Sequence, residues 1–88
     1  MNIQSNESCR ILVFGPQALK IGGSEVWVRD MQFPIRVSEL TDQLAIQYPA
    51  LETSIAISRL AVNQEFAAAE SWIQADDEVA LIGLISGG

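Results

Sequence analysis

The sequence predicts an α+β fold in which a mixed sheet packs on one main helix. Three observations predict it. Two strongly apolar runs, residues 10–15 and 78–85, lie near the two ends of the chain and are expected to pair in the middle of the sheet. Between them, residues 38–48 carry an amphipathic helical repeat. Shorter β-forming runs, bounded by turn residues, fill the remainder.

Residues 10–15, Arg10-Ile11-Leu12-Val13-Phe14-Gly15, form a short apolar run bounded by Gly15-Pro16 and read as a strand buried on both faces. Residues 16–21 are long enough for one or two helical turns, and Gly22-Gly23 stops them as a C-terminal glycine should. Residues 24–29 alternate polar residues with β-formers and read as the second strand, with residues 30–34 as its exit loop. The main helix follows. Ser38 is its expected N-cap, because a hydroxyl can accept a bond from an orphan amide of the first turn. Glu39 and Asp42 lie near the positive end of the helix dipole. Val37, Leu40, Leu44 and Tyr48 share one face at helical spacing, a stripe that reads as core packing. Pro49 disfavours the helical conformation at Tyr48 and ends the helix.

Residues 50–58 fit either a second short helix or a loop with one turn. Residues 59–63 read as the third strand. Asn63-Gln64-Glu65 reads as a turn, since Asn tolerates the left-handed region, and residues 65–67 return as a very short strand. In residues 68–73, Ala68-Ala69-Glu70 is helical by propensity, while Trp72 and Ile73 are expected to pack inward. Residues 74–77 form a turn in which Asp76 is expected at a backbone position easier for glycine. Residues 78–85 are the last strand. The order is strand, strand, helix, strand, short strand, last strand, with one helix over one face of the sheet. This is a β-grasp arrangement. The domain is expected over residues 10–85, after a polar lead-in over 1–9 that reads as disordered and before a flexible Gly-Gly tail over 86–88.

With 88 residues the chain supports one domain and one small core, and its 49% hydrophobic content is that of a folding chain. No apolar run approaches the ~20 residues that span a bilayer. The N-terminus lacks the basic and apolar regions of a signal peptide, so a soluble cytoplasmic protein is expected, with no membrane partner. The net charge of −6, from 11 acidic and 5 basic residues, disfavours nucleic acid as a partner. It favours a partner with a basic surface. Cys9 is the sole cysteine and there is no histidine, so neither an internal disulfide nor a zinc site nor a Cys-His pair is supported. Cys9 reads as a small apolar residue at the start of the first strand.

The chain carries no other reactive constellation, which turns attention to its end. A paired strand that releases Gly87-Gly88 presents the α-carboxylate of Gly88. A carboxylate is a poor electrophile and reacts only after activation, typically as an acyl-adenylate made from ATP. Glycine suits the narrow channel such activation requires, because it has no Cβ and admits close approach of a foreign backbone. Ordering the tail costs roughly 1–2 kcal/mol per residue. Contacts from Leu84 and Ile85 in a partner's groove could offset that cost.

Ala61-Val62-Asn63-Gln64, Asp77-Glu78-Val79-Ala80, Val37-Ser38-Glu39-Leu40, Phe14 followed by Gly22, and Ile85-Ser86-Gly87-Gly88 together resemble the small subunit of molybdopterin synthase, a sulfur carrier of the ubiquitin-like β-grasp group. The resemblance covers residues 10–88. It implies that an adenylating enzyme related to ubiquitin-activating enzymes uses ATP to convert the Gly88 carboxylate to an acyl-adenylate. A sulfur donor then replaces AMP and leaves a thiocarboxylate. The large synthase subunit takes in the tail, Leu84, Ile85, Ser86 and Gly87, and sulfur passes to cyclic pyranopterin monophosphate within a heterotetrameric enzyme. The resemblance also implies that this chain binds no cofactor and is the non-catalytic, sulfur-donating subunit. An apolar sheet face is expected to dock the partners, with Phe14, Leu60, Phe66 and Ile82 as its candidates. Two positions depart from the family. Gly83-Leu84 stands where members often carry Pro-Pro, which is expected to loosen the exit, and Asp76 stands in place of a turn glycine. Three other functions share the fold: a sulfur carrier for thiamine or tRNA thiolation, a ubiquitin-like protein modifier, and a non-covalent interaction module.

Overall fold

The computed structural model describes residues 7–84. Its elements in chain order are β1 (Glu7–Leu12), α1 (Gly15–Ile21), β2 (Glu25–Met31), β3 (Ile35–Arg36), α2 (Val37–Gln47), a 3-10 turn (Pro49–Leu51), α3 (Glu52–Ala56), β4 (Ser58–Val62), β5 (Glu65–Phe66), β6 (Trp72–Ile73) and β7 (Val79–Gly83). Five strands form one sheet in the order β2-β1-β7-β4-β5, and β3 pairs with β6 in a separate ladder. β1 and β7 run parallel at the centre, with Ile11 beside Val79 and Leu12 beside Ala80. β2 and β4 flank them antiparallel. The expected central pairing of the first and last strands and the α+β, β-grasp arrangement are what the molecule has.

Alternation divides the strands between two faces. Cys9, Ile11 and Val13 point to the same side as Val26, Val28, Val79, Leu81 and Leu60, and all are buried. Against that side lie Val37, Leu40 and Leu44 of α2 together with Leu51. The predicted stripe is therefore the helix's core face, with Tyr48 partly buried at its end. Pro49 closes α2 and opens the 3-10 turn that leads into α3, which resolves the ambiguity of residues 50–58 as helix.

Several local expectations are corrected. The first strand begins at Glu7, three residues before the expected start, and Cys9 lies within it opposite Val28. The Glu7 carboxylate accepts the Phe33 N–H at 3.0 Å, which ties this stretch to the β2–β3 connection. Residues 7–9 are therefore part of the domain rather than of a lead-in. The cap of α2 is Arg36, which is extended, and not Ser38. The Val37 and Ser38 amides donate instead to the carbonyls of Ser71 and Ala69, each at 2.9 Å, and Glu39 accepts the Arg36 N–H. A distant loop thus supplies the acceptors that a capping hydroxyl would have supplied. Residues 68–73 are not helical: Ile73 is fully buried, but Trp72 faces outward under the Arg36 guanidinium, 4.3 Å from its ring centroid. Cation–π attraction keeps that ring at the surface. Asp76 does not take a left-handed conformation. Asn63 and Gln64 do, at φ 53° and 70°. They form the two-residue turn between β4 and β5, where right-handed strand twist favours positive φ at both positions. Asn tolerates this region; Gln64 holds it at a cost of about 1–2 kcal/mol.

The sheet's two edges are managed differently. β5 is only two residues long. β2 is seven residues long and would offer a row of unpaired groups to another chain. Side chains at the end of α2 cover it. Tyr48 Oη accepts the Trp27 N–H at 3.2 Å and donates to the Trp27 carbonyl at 2.9 Å. Gln47 accepts the Arg29 N–H and donates to its carbonyl, both at 2.8 Å. These two side chains act as a surrogate neighbouring strand. The double variant Gln47→Ala with Tyr48→Phe is expected to lose about 1–3 kcal/mol in urea unfolding. It should also self-associate through the β2 edge in light scattering. An unchanged midpoint and a monodisperse monomer would contradict this role.

Candidate functional site

The helix-free face of the sheet carries the out-of-phase residues of the same strands. Leu12 ends β1 and Phe14 follows it, Ala80 and Ile82 come from β7, Ala61 from β4 and Phe66 from β5. Together with Gln64 and Glu78 they line a shallow concavity of about 540 Å³. Phe14 and Phe66 are each about half exposed, at 53% and 52%. Arg59 stands over the Phe66 ring, 5.0 Å from its centroid, and donates to the Ala67 carbonyl at 3.4 Å. An open apolar surface bordered by charged residues suits docking more than chemistry.

Three of the four candidate face residues, Phe14, Phe66 and Ile82, meet here. The fourth does not. Leu60 is 3% exposed and sits opposite Leu81 in the core, because its place in β4 has the phase of the buried residues. The neighbouring Ala61 lines the open face instead. Leu12 and Ala80 were missed although the phase was readable: each lies one residue out of step with a core position.

The face leads to the end of β7. Gly83 is paired with Ser58, and the Leu84 N–H donates to the Ile57 carbonyl at 3.0 Å, extending the ladder one bond beyond the strand. A proline at 84 would have no N–H for this bond. The exit is therefore held by hydrogen bonding where family members often use proline, and this opposes the loosening expected from Gly83. Leu84 is 52% exposed. The other tail residues expected to act, Ile85, Ser86, Gly87 and Gly88, lie outside the described residues.

Beside this exit is a polar cluster that the sequence did not signal. Gln17 of α1 is 6% exposed. Its Nε2 donates to Ser58 Oγ at 2.7 Å, and Ser58 Oγ donates to the Ser54 carbonyl at 2.6 Å. Lys20 Nζ donates to Ser54 Oγ at 3.3 Å. A glutamine and two serines in short helical segments read as surface residues, and only the tertiary fold brings them together.

At the opposite end of β7, Asp77 accepts the Gln74 N–H at 2.8 Å and the Asn63 Nδ2–H at 3.0 Å. Asn63 Oδ1 in turn accepts the Glu78 N–H at 3.0 Å. These bonds hold the Asp77 carboxyl below its ordinary value of 3.8. The Cys9 thiol is pushed up to about 11, first by burial and then by the nearby Asp77 charge. A protonated buried thiol is a poor nucleophile. Among the described residues no three His, Cys, Asp or Glu side chains gather as a metal site, and no helix is long and apolar enough to cross a membrane.

The family model of the ThiS family matches residues 11–88. Among solved structures, SAMP1 from Haloferax volcanii is similar at 29% identity, covering 93% of this chain and 100% of that one, with a TM-score of 0.76. A second structure, of H. volcanii small archaeal modifier protein 1, is similar at 26% identity over 89% of this chain and 98% of that one, with a TM-score of 0.74. A chain of the Helicobacter pylori 26695 complex of subunits 1 and 2 of molybdopterin-converting factor shares the fold at 16% identity, covering 93% and 100%, with a TM-score of 0.63. No curated protein matches the chain.

Two outcomes follow from the electrostatics. Because the folded Asp77 carboxyl ionises more readily than the unfolded one, its stabilisation is complete above its ordinary value and is lost as pH falls through the lowered one. The stability gap between the wild type and Asp77→Ala should therefore be open at pH 7 and close in strong acid, read by urea unfolding at each pH. Cys9 should resist a thiol reagent at pH 8 in the folded chain and react at once in denaturant; fast labelling of the folded chain would contradict the assignment.

Proposed function

The chain belongs to the ThiS family, and on that premise we propose that it is a sulfur carrier whose reacting group is the Gly88 carboxylate. The observation that carries the reading is the route of β7. It runs through the middle of the sheet and is bonded up to Leu84, in a domain that gathers no metal-type cluster of His, Cys, Asp or Glu among its described residues. The domain's part is to dock and to aim.

The chemistry follows from the carboxylate. Its oxygen attacks the α-phosphate of ATP on an adenylating enzyme, and pyrophosphate leaves. A sulfur nucleophile then attacks the acyl carbon, the bond to AMP breaks, and a thiocarboxylate remains. ATP is the activating partner's substrate rather than a cofactor of this chain. The acceptor we assign is the pyranopterin precursor of the molybdenum cofactor, on the large subunit of molybdopterin synthase. The fold shared with a chain of the H. pylori two-subunit complex supports such a partner. The open face of Phe14, Phe66 and Ile82 is the docking surface, and the net charge of −6 favours basic partners. Docking and activation in this reading take place in the cytoplasm.

A second reading is favoured by a specific observation, the 29% identity to SAMP1. In a protein modifier the same activated Gly88 would be attacked by a lysine amine, giving an isopeptide bond. The two readings share activation and differ in the nucleophile.

Deleting Gly87-Gly88 is expected to abolish sulfur transfer while leaving the thermal midpoint and the affinity for the large subunit within about twofold; full activity of the truncated chain would sink the carrier reading. Phe66→Asp is expected to weaken partner binding by roughly tenfold or more, because it puts a charge into an apolar contact. Unaltered binding in calorimetry would remove the open face from the docking surface.

A further inference from the structure

The structure assigns Gln17 and Ser58 a role as positioning residues for the tail: they fix the direction in which the chain leaves the domain. This inference rests on the carrier reading above.

The argument begins with topology. β1 and β7 are parallel neighbours with Leu12 beside Ala80, so the chain beyond β1, which runs into α1, continues toward the end of β7. That placement delivers Gln17, in the first turns of α1, to the exit. A methyl group on Gly83 would lie 3.8 Å from Gln17 Nε2 and 4.0 Å from Ser58 Oγ, so both side chains adjoin the last residue of the strand. Among the described residues, the backbone bond furthest along the chain is Leu84 N–H to Ile57 C=O. Ile57 lies between Ser54 and Ser58. The Ser58 hydroxyl is committed to the Ser54 carbonyl, and Gln17 donates to that hydroxyl. Gln17 and Ser58 therefore pin the segment that presents the Ile57 carbonyl to Leu84.

The orientation of the Gln17 amide is set by the same bonds. Ser58 spends its proton on Ser54, so it can only accept from Gln17, and the glutamine must turn its NH2 toward it. Gln17 Oε1 consequently has no partner among the described residues.

Direction matters because the proposed reacting group lies only four residues beyond Leu84. Four residues beyond Leu84 reach at most ~14 Å at about 3.3–3.6 Å each. A catalytic constellation tolerates only roughly 10–20° of misorientation. Loosening the Leu84 bond widens the range of directions in which the chain can leave β7, without touching the docking face.

The test uses the full-length chain and the variants Gln17→Leu, Ser58→Ala and Ser58→Thr. Gln17→Leu removes the donor and the unpaired oxygen together, so folding is expected to survive. Amide hydrogen exchange by NMR should show Leu84 exchanging roughly 3- to 10-fold faster in Gln17→Leu and Ser58→Ala, with Leu81 unchanged. With an adenylating enzyme of the ubiquitin-activating type, ATP–pyrophosphate exchange should show kcat reduced by a similar factor and KM for the carrier unchanged. Ser58→Thr, which keeps the hydroxyl, should restore both. Unchanged Leu84 exchange, or an effect on KM alone, overturns the assignment. A wild-type chain that is not adenylated contradicts the carrier reading instead, and the Leu84 exchange still decides whether the positioning network exists.

Discussion

The parallel pairing of β1 with β7 is the constraint on which the rest of the molecule depends. Parallel neighbours cannot be joined by a tight turn, so the chain between them must travel across the fold and back. It does so as β2, α2 and β4, which supply the helix that covers one face and the two antiparallel strands that flank the centre. With a neighbour on each side, β7 is firmly placed. A terminus attached to an edge strand would share the fraying of that edge.

The same strands serve two faces through one alternation. Ile11, Val26, Val79, Leu81 and Leu60 close the core under α2, while Leu12, Phe14, Ala80, Ile82, Ala61 and Phe66 form the open surface. An apolar surface of this kind invites self-association. The net charge of −6 works against that among identical chains and in favour of a basic partner. The capped edge of β2 closes the other route to self-association, backbone pairing.

Much of this was legible in the residues. Strong apolar runs near both ends of the chain, the order of the shorter strands and one amphipathic helix led to the β-grasp arrangement, and the core stripe of α2 followed from its spacing. The errors at Ser38, Trp72 and Leu60 have a common physical origin: each concerned a group whose partner is remote in sequence. Ser38 looked like a cap because its hydroxyl was the nearest acceptor, whereas the Ser71 and Ala69 carbonyls arrive from a distant loop. Trp72 looked buried because it is large and apolar, but Arg36 holds it at the surface. Leu60 was assigned to the docking face because alternation gives two phases and the short strand alone does not choose between them; its pairing with Leu81 does. The strained turn was sought at Asp76 and lies at Asn63 and Gln64, where the hairpin twist demands it. Gln17 and Ser58 carried no signal, since their meaning arises only when parallel strands place α1 beside the end of β7.

The central claim is that this fold exists to present an activatable Gly88 carboxylate, and its most direct measurement is peptide-level mass spectrometry after incubation with ATP, a competent adenylating enzyme and a sulfide source. Localisation to the C-terminal peptide is essential, because oxidation of Met, Cys or Trp elsewhere gives a similar intact mass. The account predicts replacement of oxygen by sulfur at Gly88. A Gly88 left unmodified by every competent activating enzyme would contradict it and leave a domain that docks partners without covalent chemistry.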